Sequence, residues 1–227
     1  RLGKSFLDYA VDPFISGIYA GDPAQLVTRY ALPKLYNLEQ KYGSFIIGSI
    51  KKKSETKTDL EKKANREVFS VKGGLQNLIN ALENEVDCQN IFCGCNNIKI
   101  QPDENGYGIS YKTREQEEIK IHSSIVVTTT GGYALHSLLP FADENILKPI
   151  PELQYAKVTQ VICCYKQWKG KPLDAFGGLV PSKENRRILG ILFTSSIFSE
   201  RAPEGVAILS VFIGGIKKPG MITKSDE

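Results

Sequence analysis

Residues 12–23 read "DPFISGIYAGDP", two Asp-Pro pairs around the glycine-bracketed Gly17-Ile18-Tyr19-Ala20-Gly21. The stretch decides between an α/β and an α+β chain. A dinucleotide-binding fold needs G-x-G-x-x-G directly after a strand, and a P-loop needs G-x-x-x-x-G-K-[ST]; the spacing here matches neither. Asp12 and Asp22 instead suit N-caps, which accept hydrogen bonds from the orphan amides of a first helical turn. Pro13 and Pro23 suit the first helical position, where no N–H is needed. Two helices are expected to begin here. Gly17 and Gly21 are left over, since glycines four apart either take positive φ or let a neighbour approach the backbone closely.

On either side the helical texture continues through residues 4–53: "SFLDYAVD", "PAQLVTRYA", "PKLYNLEQKY" opened by Pro33, and "SFIIGSIKKK" with Ser44 as cap. Residues 1–53 are thus a helical lobe and 54–72 a charged linker. In "SVKGGLQNLINALENEV", Leu75, Leu78, Ile79 and Leu82 fall at helix spacing, and that face is expected to pack on a sheet. From residue 91 the texture turns to β. "NIFC", "NIKIQ", "GYGISYKT" and "EEIKIHSSIVVTTT" predict four consecutive strands, with "DENG" as a hairpin turn of the Asn-Gly kind. A short helix, "GYALHSLLP", precedes further strands around "VTQVICCYK", "AFGGLV", "RILGILFTS" and "VAILSVFIGG". Divided at 73–134 and 135–227, this order of helices and strands predicts an α+β fold with a mixed β-sheet.

The 227 residues, 41% of them hydrophobic, can bury a real core. The net charge of +4 is local: residues 51–66 carry seven cations against Glu55, Asp59 and Glu61, and the remainder is close to neutral. A basic stretch without interleaved aromatics is a poor nucleic-acid signature, so no nucleic-acid partner is expected. It reads as a solvated linker, or more sharply as a contact for an anionic membrane surface. Five cysteines without a C-x-x-C and only two histidines argue against zinc. Cys163 and Cys164, within a strand pattern, are expected to be small core residues of a reducing compartment. No apolar run approaches the roughly 18–20 residues that span a bilayer, so the expected location is cytoplasmic, with at most peripheral membrane contact. The chain starts at Arg1 without methionine and stops at "KSDE", as a piece cut from a longer protein would.

Conventional catalytic constellations are absent. A Ser-His-Asp triad would have to recruit His122 from an alternating strand, and an acid–base pair among Asp12, Asp22 and Glu39 competes with helix capping. What remains is a binding surface, or an enzyme whose chemistry belongs to a cofactor.

Four stretches carry a resemblance: "DPFISGIYAGDPAQLVTRYALPKLYNLEQKYGSFIIGSIKKK", "VKGGLQNLINAL", "SSIVVTTTGGYALHSLLP" and "FGGLVPSKENRRILGILFTSSIFSERAPEGVAILSVFIGG". Together they resemble the protoporphyrinogen oxidases, oxygen-dependent FAD enzymes of haem synthesis within the amine-oxidase-type flavoproteins. That family opens with a strand and a G-x-G-x-x-G turn and closes with a second glycine-rich flavin segment. Neither is in this sequence, so the chain resembles the middle of such an enzyme. It also lacks the proline that usually follows the threonines of "VVTTT".

The resemblance implies a part of an enzyme that oxidises a tetrapyrrole by giving hydride to FAD, with no FAD retained by this piece alone. It implies a membrane-associated or substrate-covering role for 1–53, part of the FAD domain near 73–134, and a substrate-binding sheet in 135–227. It sets Leu173, Leu189 and Leu209 along a slot for the macrocycle, Gly17 and Gly21 where backbone nears the ring, and Asn97, Thr129 and Thr130 beside the flavin. As local residues the three leucines read as ordinary core. Protoporphyrinogen and the four-propionate coproporphyrinogen are rival substrates, and a non-catalytic ligand-binding module of the same fold is the alternative class.

Overall fold

The computed structural model describes residues 3–54, 58–64, 67–198 and 200–223. The chain divides into two compact units, Arg1–Leu75 with Ala156–Glu227, and Gln76–Tyr155.

The first unit opens with helix α1 (Lys4–Phe6), which runs through a π-helical stretch (Leu7–Val11) into α2 (Asp12–Ile18) without a break. The amide of Asp12 donates to the Leu7 carbonyl inside this run, so Asp12 does not cap a helix as expected. Its carboxylate is left for tertiary contacts. Asp22 starts a turn rather than a helix: its Oδ1 accepts the Ala24 amide at 3.0 Å, and Pro23 supplies the preset φ of a turn's second residue. Helix resumes only at α3 (Thr28–Ala31). Helix α4 (Pro33–Tyr42) has proline in its first position and ends where Gly43, in the left-handed region, donates its amide to the Glu39 carbonyl. Ser44 caps α5 (Phe45–Lys53) by accepting the Ile47 amide. The cations Lys51, Lys52 and Lys53 fill the last turn of α5, where the helix dipole favours them.

The stretch expected as a plain linker holds a further short helix, α6 (Asp59–Lys63), nucleated by a reciprocal capping box of Thr58 and Glu61. Glu55, Lys57 and Arg66 of the charged segment lie outside the described residues. Helix α7 (Leu75–Glu85) forms where the spacing predicts it. Its apolar stripe does not meet a sheet: Leu75, Leu78, Ile79 and Leu82 are 46% to 65% exposed. Periodicity states which residues share a face, not what covers it.

In the second unit β1 (Asn96–Asp103), β2 (Gly106–Lys112) and β3 (Glu118–Ser123) form an antiparallel meander. Asp103 pairs with Gly106, so the connection is Glu104-Asn105 and the glycine opens β2 instead of closing the turn. Three strands form where four were expected. "NIFC" follows a 3-10 turn (Cys88–Asn90) and is irregular, as are residues 125–130. The Ser123 hydroxyl donates to the Ile125 carbonyl at 2.8 Å and ends the ladder there. After α8 (Leu135–Leu138) and α9 (Glu144–Leu147), this unit's core is Ile100, Tyr111, Leu138 and Leu147.

The first unit then resumes with β4 (Val158–Tyr165), β5 (Gly177–Leu179), β6 (Ile188–Leu192), α10 (Thr194–Ile197) and β7 (Ala207–Gly214). The strand order is β4-β7-β6-β5. Every pairing among the described residues is antiparallel, which corrects the mixed sheet while keeping the α+β class. The four-residue α10 does not carry the chain across the sheet as a βαβ helix does; it folds onto β7. Thr194 Oγ1 and Ser210 Oγ share a 2.8 Å hydrogen bond, and Ser195 Oγ accepts the Ile208 amide at 3.0 Å. Ile15, Ala20, Ala207 and Leu209, with Pro13, are buried apolar residues of this unit among those described. None of the five free cysteines is buried, contrary to expectation. Cys163 and Cys164 lie on β4, the edge strand that among the described residues pairs with β7 alone.

Candidate functional site

Helix α2 lies on the β5–β6 end of the four-stranded sheet, and a hollow of about 570 Å³ opens at that seam. Gly17, Ile18 and Ala20 line it from the helix side, Phe176 to Leu179 and Leu189 to Leu192 from the hairpin, with Val158 and Phe212 from the two remaining strands. No ionisable residue is among them. Two glycines keep the walls this close. A Cβ on Gly17 would stand 2.5 Å from Leu179 Cδ2, and one on Gly190 would stand 2.9 Å from the Gly178 carbonyl oxygen. Glycine inside an apolar strand pattern marks such an approach.

The structure brings Gly17 and Leu189 together in this hollow and leaves the other three proposed slot residues outside it. Leu209 is 6% exposed and belongs to the core. Strand alternation puts it on the face of β7 opposite Phe212, which lines the hollow. Leu173 lines a different depression, with Trp168 and Pro203. Gly21 lies past the helix end, where an added Cβ would make only ordinary contact with Ile15 at 3.7 Å. Ile18, Phe176, Leu179 and Phe212 were missed by sequence reasoning. The signal for the hairpin is the pair "FGGL" and "LGIL", two glycine-interrupted apolar runs that pair Gly178 with Ile191.

At one end of α2 lies a charged cluster. Asp12, 6% exposed, accepts the Ser182 amide on Oδ2 at 2.7 Å and the Ser182 hydroxyl on Oδ1 at 3.0 Å. Lys217 Nζ approaches the same Oδ1 at 2.5 Å and Asp22 Oδ1 at 3.7 Å. Burial acts to raise the pKa of Asp12, but the bonds from Lys217 and Ser182 outweigh it and hold the carboxyl below its ordinary range. Beside it Asp8 pairs with Lys4 at 3.1 Å and Lys183 at 3.4 Å.

In the other unit Asn97, held at φ +52, and Thr130 line one hollow of about 750 Å³ whose lining mixes Ser110, Ser137, Lys99, Lys112 and Glu118 with the apolar Ile98 and Leu138. Thr129 is not part of its lining.

A family model described as flavin containing amine oxidoreductase matches residues 1–227. The chain belongs to this family. A mitochondrial protoporphyrinogen oxidase of Nicotiana tabacum is 33% identical over 237 residues, covering 95% of this chain and 47% of that protein. Protoporphyrinogen oxidase 2 of Arabidopsis thaliana, described as chloroplastic/mitochondrial, is 29% identical and aligns with 100% of this chain and 49% of its own length. The human protoporphyrinogen oxidase is 27% identical over 95% of this chain. The chain therefore spans about half the length of the curated relatives it matches. A crystal structure from Exiguobacterium sp. 255-15, described as a candidate protoporphyrinogen oxidase, superposes with a TM-score of 0.75 at 22% identity, covering 100% of this chain and 46% of that one, and so shares the fold.

Against the flavin that the family's description implies, the hydroxyl, amide and ammonium groups around Asn97 and Thr130 suit the hydroxylated part of FAD, with Lys99 and Lys112 the cations for its phosphates and Glu118 the one carboxylate in the lining. Among the described residues the α2 seam offers a flavin no such donors.

Proposed function

We propose that this chain is the central, substrate-side part of an FAD-dependent oxidase that converts protoporphyrinogen IX to protoporphyrin IX in haem synthesis. The observation that carries this reading is the apolar seam between α2 and the sheet, into which Gly17 and Leu189 both open. Bound FAD would accept the hydride that leaves a bridging carbon of the substrate. This chain's own residues orient the macrocycle and keep water away from it. Phe176 and Phe212 offer flat apolar contact, and Leu179, Leu189 and Ile191 supply aliphatic bulk. Excluding water from about 200 Å² of ring face would contribute on the order of 5 kcal/mol gross, before the costs of association. Asn97 and Thr130 are the residues of this chain we assign to the cofactor side. The descriptions of the relatives, protoporphyrinogen oxidases, favour the two-propionate substrate over coproporphyrinogen III with four.

The same reading includes peripheral membrane contact by α5, supported by the exposed Ile46, Ile47 and Ile50 next to Lys51, Lys52 and Lys53. No helix among the described residues is long and apolar enough to cross a membrane. We assign the chain to the cytoplasm on the ground of its five free cysteines, which suit a reducing compartment. The plant relatives carry chloroplastic and mitochondrial in their descriptions.

The test is oxidation of protoporphyrinogen IX and coproporphyrinogen III by the full-length protein, followed by porphyrin fluorescence. Faster turnover of the former is expected. Preference for the latter would move the substrate assignment, and a flavin-loaded protein that oxidises neither would favour a binding module.

A further inference from the structure

The charged cluster at the start of α2 is not needed to explain the slot's apolar lining, yet it joins α2 to the β5–β6 connection and to the segment that follows β7. Asp12 is on α2, five residues before Gly17. Ser182 sits in the connection between β5 and β6, just past Leu179. Lys217 follows β7, and its neighbour Ile216 donates its amide to the Ala20 carbonyl at 2.8 Å. Asp22, the second carboxylate near Lys217, lies in the turn after α2. One buried carboxylate thus fastens the helix wall of the slot to the hairpin wall and to the end of the central strand.

We propose that Asp12 is the positioning residue of the slot: its bonds to Ser182 and Lys217 set the distance between α2 and β5, and through it the grip on the substrate. The proposal rests on the reading of the seam as the substrate slot. It follows from how the walls are built. The helix meets β5 where Gly17 faces Leu179, so closely that an added methyl group would displace the leucine side chain, and α2 continues the preceding helical run with no side-chain cap of its own at Asp12. The side chains that line the hollow are apolar and make no directional bonds, so beyond the Ile216 amide on the Ala20 carbonyl the spacing is held from outside it. Three hydrogen bonds converging on one carboxylate supply that direction. Asp12 touches neither the lining nor the reacting atoms, so it acts on substrate binding and not on the chemical step.

The experiment uses the full-length protein. Asp12→Asn keeps the shape and removes the charge that Lys217 and Ser182 address. With flavin content unchanged, KM for the porphyrinogen is expected to rise roughly tenfold while kcat stays within about twofold, the pattern of lost binding without lost chemistry. Amide hydrogen exchange should accelerate in residues 14–20 and 177–180 and stay as it was in residues 96–123, which belong to the other unit. A folded, flavin-loaded variant with unchanged KM, or with unchanged exchange in both wall segments, overturns the proposal. If Asp12→Asn does not fold, Ser182→Ala removes one bond without stranding a charge. It should shift KM and exchange in the same direction by a smaller factor, and no shift in either overturns the proposal equally. Failure of the functional reading is visible separately, as a wild-type protein that oxidises no porphyrinogen; the exchange measurement still decides whether Asp12 holds the two walls together.

Discussion

Gly17 of α2 faces Leu179 of β5 so closely that a Cβ at position 17 would stand 2.5 Å from the leucine Cδ2. Both residues line the hollow at the seam. Glycine inside a helix costs about 1 kcal/mol relative to alanine, so Gly17→Ala should stabilise α2 by that amount if the space were free. The space is taken by the far methyl of Leu179, a side chain 41% exposed that can swing aside, so the clash offsets that gain without the full penalty of an overpacked core. The expected outcome is a melting temperature close to that of the wild type, together with a rise in KM as the displaced leucine enters the hollow. Adding Leu179→Ala should let the helical gain appear, and the double-mutant cycle should show coupling on the order of 1 kcal/mol. Additivity of the two changes would mean that the helix and β5 do not touch there.

Leu189 and Leu209 make opposite predictions although both are leucines on neighbouring strands. Leu189 is half-buried on the slot, whereas Leu209 is 6% exposed on the other face of the sheet. Leu189→Asp should leave a folded, flavin-loaded protein without porphyrinogen oxidation. Leu209→Ala should cost about 2–5 kcal/mol of stability and leave the activity of the surviving fraction near normal. Melting temperature and activity measured on the same samples check both, and a reversal of the two phenotypes would exchange their places.

The difference between these leucines also shows where sequence reasoning stops. Helices α4 and α5 are legible because their signals are local: Pro33 at a first position, Gly43 past an end, and Ser44 before an apolar run. Strands β4 to β7 are legible from alternation and apolar runs. Their order and direction are not, since pairing joins residues as distant as Val158 and Gly214. The same limit applies to Asp12. An Asp-Pro pair is locally a helix cap, and only the fold brings Ser182 and Lys217 to it from 170 and 205 residues away. Residues 125–130 mislead for the converse reason, because an apolar run states a preference for a strand without supplying the neighbour that completes one.

The Asp12 cluster makes stability depend on pH in the acid range. Its carboxyl is a stronger acid in the folded protein than in the unfolded chain, since the bonds from Lys217 and Ser182 outweigh burial. The folded state therefore binds fewer protons at this site, and stability rises with pH. The contribution is fully present above the ordinary carboxylate value of 3.8 and is lost as pH falls through the depressed folded value. Lys217, 28% exposed, keeps some water when its partner is removed, so Asp12→Asn should cost about 2 kcal/mol rather than the larger penalty of a fully stranded charge. Denaturation midpoints measured from pH 3 to pH 7, a range spanning the roughly 3.9 of a free aspartate, should rise less steeply for Asp12→Asn than for the wild type. Parallel profiles would mean that Asp12 is not shifted.

Helix α5 places apolar and cationic groups side by side at its exposed end. Ile46, Ile47 and Ile50 are each at least half exposed, and Lys51, Lys52 and Lys53 complete the last turn. Lysines near an anionic bilayer contribute about 1 kcal/mol each at low salt, and the isoleucines would add the burial of their side chains at the interface. The two contributions differ in their response to salt, because screening weakens the first and leaves the second. Sedimentation of the full-length protein with vesicles of mixed phosphatidylserine and phosphatidylcholine should therefore fall, but not vanish, as salt increases. Replacing Lys51, Lys52 and Lys53 together by glutamine should remove the salt-dependent part, and Ile50→Ser the remainder. Binding that is absent at low salt, or indifferent to both sets of changes, would leave α5 a solvated helix end with no role at a membrane.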